Sequence, residues 1–533
     1  MPRQYKQAPS SLEAVIVAPL MAVLNVVEDE PATMTLDEAC ALLPGLGESP
    51  REVGGNRISP VHPGLMAWTR TAAENYLAAL SNDPGLVGAT GLSATASWVR
   101  QYPAADGTAR PFELCVWGRP YAYSRGGRIF RELRVPVVKR AEDKRLSDEE
   151  IAVMAYVLAT GAEIDRLRFT ASRGSYLAGE IFPLLPPDSR YPSTLPPDRV
   201  RIVKVGSADG RTETVFDEPR SVAERLFVEL GSPALRNILS DDSRRPGRDC
   251  YECKIRPSCR ALHRRPGVLG VEQPLAWRSW SVTVGRYHAD CPAKAHFRQV
   301  GLPSHDAQEN PKAVRQGKAV HDWLRRMHER TPVRPCTEDD LPDDPNTWAS
   351  ERWDLAAIDS RNAWDMLRMH LEVCPLTGLG ADDKARPEQR LVIEDRRANV
   401  LIVADADLLY RRNGSWCYRE VKTTTKVGRS GGEQLLTRYP QLALAVLLFE
   451  FGEIPLGPSS LIELEVLRSD EPDIRLLDPR SARIRAAARE VIAGLVGPWH
   501  SDTEYTPTPS EKVCRSCGYQ RWCSVAETEA PRV

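Results

Sequence analysis

The chain has 533 residues, too many for one core and enough for roughly two to four domains. With 42% hydrophobic and 27% charged residues, its composition is that of an ordinary globular protein rather than a disordered one. A formal net charge of -1 argues against a protein that coats nucleic acid through bulk positive charge, though not against a local basic channel.

The first apolar run, Ala14 to Val27, contains Pro19 and is too short to span a bilayer. Only Arg3 and Lys6 precede it as positive charges, and no small-residue cleavage site follows. It therefore reads as a buried helix or strand rather than a signal peptide, and the chain is expected in the cytoplasm with no membrane partner. In that setting clustered cysteines are metal ligands more often than disulfides. A helix follows His62 (HPGLMAWTRTAAENYL). Leu114 to Tyr123 and Arg128 to Val135 are predicted strands about a Gly126-Gly127 turn. A helix near Asp148 to Thr160, a strand at Val200 to Val205 and a helix near Val222 to Leu230 lead to Cys250-x2-Cys253-x5-Cys259. Arg264, Arg265, Pro266 and Gly267 read as a linker.

The second half opens on Trp277 and Cys291-Pro292, then an amphipathic helix with Gly317-x3-His321. Pro332 to Asn346 is rich in Pro and Asp and reads as a surface loop. Asn399 to Tyr410 and Ser415 to Thr423 are strands joined by Asn413-Gly414, a strong hairpin signal. A helical stretch from Glu433 to Phe451, reset at Pro440, precedes a strand at Leu461 to Leu467. A helix at Arg480 to Leu495 then leads to Cys514-x2-Cys517-x5-Cys523. The two cysteine triplets share one spacing. Each closes the same order of strand, turn, strand, helix, strand, helix. This argues for a duplicated unit, with domains at 1–265 and 277–533. Cys336, Cys374 and Cys417 have no partner spacing and read as ordinary cysteines.

The chemistry is concentrated in the C-terminal hairpin. Side chains alternate along a strand, so Glu420 and Lys422 share a face, and pairing through the Asn-Gly turn can bring Asp407 to it. Two carboxylates there can hold Mg²⁺ or Mn²⁺, hard cations that prefer oxygen. Such a cation can activate water and offset charge on a phosphate, with Lys422 beside the nucleophile. His321 offers an imidazole that suits Mn²⁺. Asp405 is a rival for Asp407.

In order and approximate spacing, Cys291, His321, Asp407, Glu420 with Lys422, Gln441, and Cys514, Cys517 and Cys523 resemble the iron–sulfur branch of the RecB-family nucleases, the branch of the AddB-type helicase–nucleases and the CRISPR-associated adaptation nucleases. The resemblance covers roughly residues 277–533. It implies an α/β fold with a PD-(D/E)xK (restriction-endonuclease-like) core, flanking helices and an iron–sulfur staple. It also implies metal-dependent hydrolysis of DNA, exonucleolytic or acting on single strands or ends, in repair or antiviral defence. By the resemblance, His321, Asp407, Glu420 and the Val421 carbonyl hold Mg²⁺ or Mn²⁺. Asp407, Glu420, Lys422 and Gln441 are the catalytic set. Cys291, Cys514, Cys517 and Cys523 hold a [4Fe–4S] cluster, for which Zn²⁺ is the alternative. Two positions depart from the family pattern. Ala404 replaces the glycine of GxxD, and Ala445 replaces the tyrosine after Gln441.

In the N-terminal copy the family glycine falls on Gly118, the aspartate position on Tyr121 and the lysine position on Arg134, with Glu132 before it. Losing a carboxylate and exchanging Lys for a permanently charged Arg should abolish catalysis. Cys250, Cys253 and Cys259 could hold a second cluster, with Cys40 or its rival Cys115 as fourth ligand, and His62 echoes His321. No phosphate-binding loop of the Walker type is present, so any unwinding needs a separate helicase or ATPase subunit. The competing expectations are a non-catalytic nucleic-acid-binding scaffold subunit of a helicase–nuclease complex and a zinc-bearing regulatory protein with an unrelated core.

Overall fold

The computed structural model describes residues 12–29, 34–102, 112–165, 167–168, 183–240, 243–251, 253, 255–272, 277–304, 311–379, 384–424 and 432–525. The chain divides into two compact units. The first is Met1–Ser243 with Val300–Pro303 and Arg521–Glu527; the second is Arg244–Gln299, Ser304–Gln520 and Thr528–Val533.

In the first unit, the apolar N-terminal run forms helix α1 (Leu12–Asp29). Helix α2 (Pro63–Ser81) starts on a proline, which suits a first turn, and His62 caps it by accepting the Gly64 N–H at 3.1 Å. His62 is thus a capping group here. Five strands form one sheet: β1 (Thr90–Ala94), β2 (Arg119–Arg125), β3 (Arg128–Val137), β4 (Arg199–Gly206) and β5 (Thr212–Pro219). Helix α3 (Asp148–Thr160) joins β3 to β4 and begins on a reciprocal Ser147–Glu150 cap. Helix α4 (Arg220–Leu226) follows β5. The predicted strand at Leu114 to Tyr123 is broken in two. Gly118 sits at φ +150°, where a side chain would strike Leu133 and the Arg134 carbonyl. Phe112–Cys115 therefore pairs with Trp98–Tyr102 in a separate small sheet, and only β2 joins the main one.

After the segment from Arg244, the second unit continues with β6 (Arg278–Trp280) and α5 (Val282–Asp290), then α6 (Lys312–His328) and α7 (Ala357–Val373). Its seven-stranded sheet takes in β6 and the short His263–Arg264 strand and is built on β7 (Ala385–Asp395), β8 (Val400–Arg412) and β9 (Ser415–Thr423), then β10 (Ile462–Leu467) and β11 (Pro472–Leu477). Between β9 and β10 lie α8 (Glu433–Arg438) and α9 (Pro440–Glu450), separated at Pro440 as expected; α10 (Ala482–Ser501) follows β11. The β8–β9 turn is tight because Asn413 (φ +50°) and Gly414 (φ +76°) both take the left-handed conformation a two-residue hairpin needs.

Both sheets share one plan. In the first sheet, and among β7 to β11 of the second, strands run in the order first to fifth. The first two pairs are antiparallel, the third parallel and the fourth antiparallel. The parallel step follows from the helical crossover between the third and fourth strands.

The second sheet is buried on both faces. One face packs Val400, Ile402, Tyr418, Ile462 and Leu464 against α9 and α10. The other packs Leu408, Tyr410, Cys417 and Val421 against Val320, Trp323 and Leu324 of α6 and Met366 and Leu367 of α7. Burying each such side chain contributes about 1.5–3 kcal/mol. The segment read as a linker is docked on this sheet instead. His263–Arg264 pairs in parallel with Ile393–Glu394, and Asp395 accepts the N–H groups of Gly267 and Leu269 at 2.8 and 2.9 Å. Cys259 is buried with Val392, Leu401 and Val403. The first cysteine triplet, expected to close the N-terminal copy, thus groups with the second unit, whereas Cys40 belongs to the first.

Candidate active site

The hairpin register sets the site. Leu408 pairs with Arg419, so the next position along brings Asp407 level with Glu420. Asp407 Oδ2 accepts the backbone N–H of Val421 at 2.7 Å, which locks the two strands together where the pairing ends. Glu420 lies on the face of Tyr418, whose hydroxyl donates to its Oε2 at 3.0 Å. Lys422 Nζ reaches Glu420 Oε1 at 2.5 Å and the Val421 carbonyl at 3.1 Å. Cys417 points into the opposite core, as its phase along the strand predicts.

Helix α6 delivers His321, whose Nδ1 stands 3.6 Å from Asp407 Oδ1. One turn earlier lies Gly317, where a Cβ would approach Thr423 Oγ1 to 2.9 Å. The glycine lets the helix press onto the strand end beside Lys422, which gives the Gly-x3-His spacing a packing reason.

Sequence reasoning missed one member. Glu388 on β7 lies opposite Asp407, between the pairs Pro387–Leu408 and Gln389–Ala406. Its φ of +48° costs a non-glycine residue about 1–3 kcal/mol, strain of the kind found at functional sites. His321, Glu388 and Asp407 present ligand atoms all within 4.8 Å of one another. The alternative, Asp405, is exposed, and its carboxylate pairs with Arg390 at 2.6 Å.

The electrostatics suit a cation. Loss of water, then the charges of Asp407 and Asp405, push the Glu388 carboxyl up to about 7. Burial likewise pushes Glu420 up to about 7, with Lys422 pulling it down and Asp407 adding to the rise. Burial opposes the Lys422 charge, yet Glu420 and Asp407 hold its ammonium above the ordinary range. Carboxyls held partly protonated around an imidazole form an oxygen-rich donor set that fits Mg²⁺ or Mn²⁺. Gln441, in the first turn of α9, has a buried Oε1 with no hydrogen-bond partner, a group that a ligand can satisfy. It follows Tyr439, whose phenol bears on the Lys422 charge. Ala445, one turn on, is packed in the core.

Of the cysteines, Cys291 ends α5 and its Sγ accepts the Thr508 N–H at 3.5 Å, while Ser510 N–H donates to Cys514 Sγ at 3.5 Å. Cys517 N–H bonds to the Cys514 carbonyl at 3.0 Å. The segment after residue 507 thus meets the end of α5, and N–H···S contacts of this kind favour thiolate ligands. Cys523 lies in the segment grouped with the first unit. Cys250 Sγ accepts the Gly247 N–H at 3.4 Å.

In the first unit, Tyr121 pairs with Glu132, the register position that Asp407 holds against Glu420. Glu132 is bound by Arg134 at 2.5 Å and Arg201 at 2.8 Å, and Arg201 also holds Asp83 at 2.9 Å. Tyr121 donates to Glu28 at 2.7 Å. Every carboxylate there already has a cationic or hydroxyl partner.

No helix among the described residues is long and apolar enough to cross a membrane. No curated protein matches the chain. Residues 279–524 match the family model of the PD-(D/E)XK nuclease superfamily, a span that runs from β6 past Cys523 and includes every residue of the hairpin site. The chain therefore carries a PD-(D/E)XK nuclease superfamily domain over residues 279–524.

Proposed function

We propose that this protein is a divalent-metal-dependent deoxyribonuclease of the RecB-like iron–sulfur branch, working on DNA strands or ends in repair or antiviral defence. The observation that carries the reading is the convergence of His321, Glu388 and Asp407, with Asp407 tied to the Glu420–Lys422 strand through the Val421 N–H. His321, Asp407, Glu420 and the Val421 carbonyl would hold Mg²⁺ or Mn²⁺, with Glu388 as an added carboxylate. A bound cation supplies an acidified water and charge stabilisation at the phosphate. Lys422, held by Glu420, orients toward the same face and offsets charge that develops on the phosphate oxygens. Gln441 offers its unpartnered Oε1 to the substrate or its water shell.

Cys291, Cys514, Cys517 and Cys523 hold a [4Fe–4S] staple in this reading. Cys250, Cys253 and Cys259 offer three further thiols within the second unit. The N-terminal unit is a degenerate copy, supported by the shared strand order and by the Tyr121–Glu132 register. It serves as a scaffold for DNA or for a separate helicase or ATPase subunit.

The test is cleavage of single- and double-stranded DNA by anaerobically purified protein with Mg²⁺ or Mn²⁺. Asp407→Ala and Lys422→Ala should each lower turnover by about 10²-fold or more. Cleavage at the wild-type rate in both variants moves the chemistry elsewhere. Salt-sensitive DNA binding without any turnover favours the scaffold reading.

A further inference from the structure

A second ligand cluster lies in the same unit, away from the hairpin. His328 ends α6, Cys336 lies in the following loop, His370 is on the last turn of α7 and Cys374 caps that helix. All four are buried, none more than 6% exposed. Their ligand atoms lie within 4.8 Å of one another. Two histidines and two cysteines that converge in a dry core have no bulk solvent to satisfy them.

We propose that His328, Cys336, His370 and Cys374 form a structural zinc site that anchors the helix carrying His321. The edge between the two imidazoles fits a tetrahedron, and the nitrogen–sulfur edge is a few tenths of an ångström longer than a tetrahedral one. Zinc–nitrogen bonds of about 2.0–2.1 Å and zinc–sulfur bonds of about 2.3 Å imply N–N edges near about 3.3 Å and N–S edges near about 3.6 Å. His328 Nε2 stands 3.3 Å from His370 Nε2, and Cys374 Sγ stands 4.0 Å from His328 Nε2.

The surroundings are those of a ligand set. His370 Nδ1 meets Glu465 Oε1 at 2.6 Å, and the other Glu465 oxygen accepts from Arg419 at 2.9 Å. A carboxylate behind a histidine fixes its tautomer and turns the remaining ring nitrogen toward the metal. The Cys336 N–H donates to Cys374 Sγ at 3.5 Å, and Arg330 approaches Cys336 Sγ at 3.9 Å, both suited to thiolates.

Four protein ligands leave no open position, so the site is structural rather than catalytic. Its reach is functional all the same. His328 lies two turns beyond His321 on α6, and Glu465 pairs on β10 with Val421 of the hairpin. The zinc would tie α6, α7 and β10 into one frame around the hairpin. This inference does not rest on the nuclease reading, because its first readout is metal content.

The experiment compares zinc and iron in the full-length wild type with His370→Gln and Cys374→Ser, all purified alike. The expected result is one zinc fewer per chain in each variant with iron unchanged. Glu465→Gln should keep the four ligands but lose about 10–100-fold in zinc affinity. Zinc-edge X-ray absorption on the wild type needs no variant and should show mixed nitrogen and sulfur ligands. Any of these results overturns the site: a wild type without zinc, a zinc shell of sulfur alone, or a Cys336–Cys374 disulfide in freshly purified protein. Equal zinc in wild type and folded variants does the same.

Discussion

Replacing Glu420 by glutamine should stabilise the cation-free protein at pH 8 while abolishing cleavage. The Glu420 side chain is 4% exposed, and burial, reinforced by Asp407, lifts its carboxyl from the ordinary 4.5 to about 7 against the pull of Lys422. The folded pKa lies above the unfolded one, so this group contributes stability fully below pH 4.5 and loses it as pH rises through about 7. At about 1.36 kcal/mol per unit, the loss by pH 8 is about 3 kcal/mol. Glutamine keeps the shape and can still accept from Tyr418, but carries no charge to desolvate. Lys422 loses its partner; its side chain is 30% exposed and can turn to water, which returns part of the gain. A net gain of about 1–3 kcal/mol at pH 8 and about none at pH 4.5 follows, a rise of a few degrees in Tm. The assay is thermal unfolding of full-length protein freed of Mg²⁺ and Mn²⁺, at both pH values. Adding the cation should then favour the wild type, which binds it, over the variant. The reasoning fails if Glu420→Gln is no more stable than wild type at pH 8, or if the cation raises both equally.

Glu388→Ala should slow cleavage at limiting Mg²⁺ by about 10-fold or more, with partial recovery at high cation, because one ligand of a hard-cation site is lost; an unchanged metal dependence makes Glu388 a bystander. Asp405→Asn should leave turnover within a few-fold of wild type, since that carboxylate is engaged by Arg390. A loss equal to that of Asp407→Asn would exchange the two assignments. Glu132→Gln in the first unit should leave cleavage per folded molecule unchanged yet lower stability by about 3–5 kcal/mol, read by urea unfolding, because two buried arginines lose their shared carboxylate.

The hairpin and its helices were legible because local chemistry and tertiary need agree there. Asn413-Gly414 specifies the turn, Ser147 specifies the start of α3, and Pro440 splits the helical stretch where predicted. Strand β7 was not legible. It begins ARPEQR, a charged and proline-bearing stretch that runs along the exposed part of the sheet before its buried half, so no alternation of two announces it. Glu388 was lost with it. The His–Cys quartet escaped for another reason. Cys374 stands one helical turn from His370, while Cys336 and His328 arrive from another helix and its loop, so no cysteine pair marks the site. The linker reading of Arg264 to Gly267 failed because Asp395, far along the chain, supplies the acceptors that order it.

On the proposed reading, the two sheets differ in their charge balance, which is why one hairpin would need a cation and the other would not. They share strand order and place equivalent residues at Tyr121–Glu132 and Asp407–Glu420. In the first unit, Glu132 and Asp83 are matched by Arg134 and Arg201, so the buried charges cancel without help. In the second, Glu388, Asp407 and Glu420 face the ammonium of Lys422, with Arg325 also drawing on Glu388, so negative charge predominates. Burial first, then the charge of Asp407, holds the Glu388 and Glu420 carboxyls up to about 7. A divalent cation would offset that negative charge at neutral pH. On that reading, the arginines of the first site take the place of the ion that the second would bind. Tyr121→Asp alone should therefore not give the first unit cleavage activity, read in a chain that also carries Asp407→Ala. The new carboxylate would be drawn to Arg119 and to the Arg134–Arg201 network, which already fill the space with positive charge.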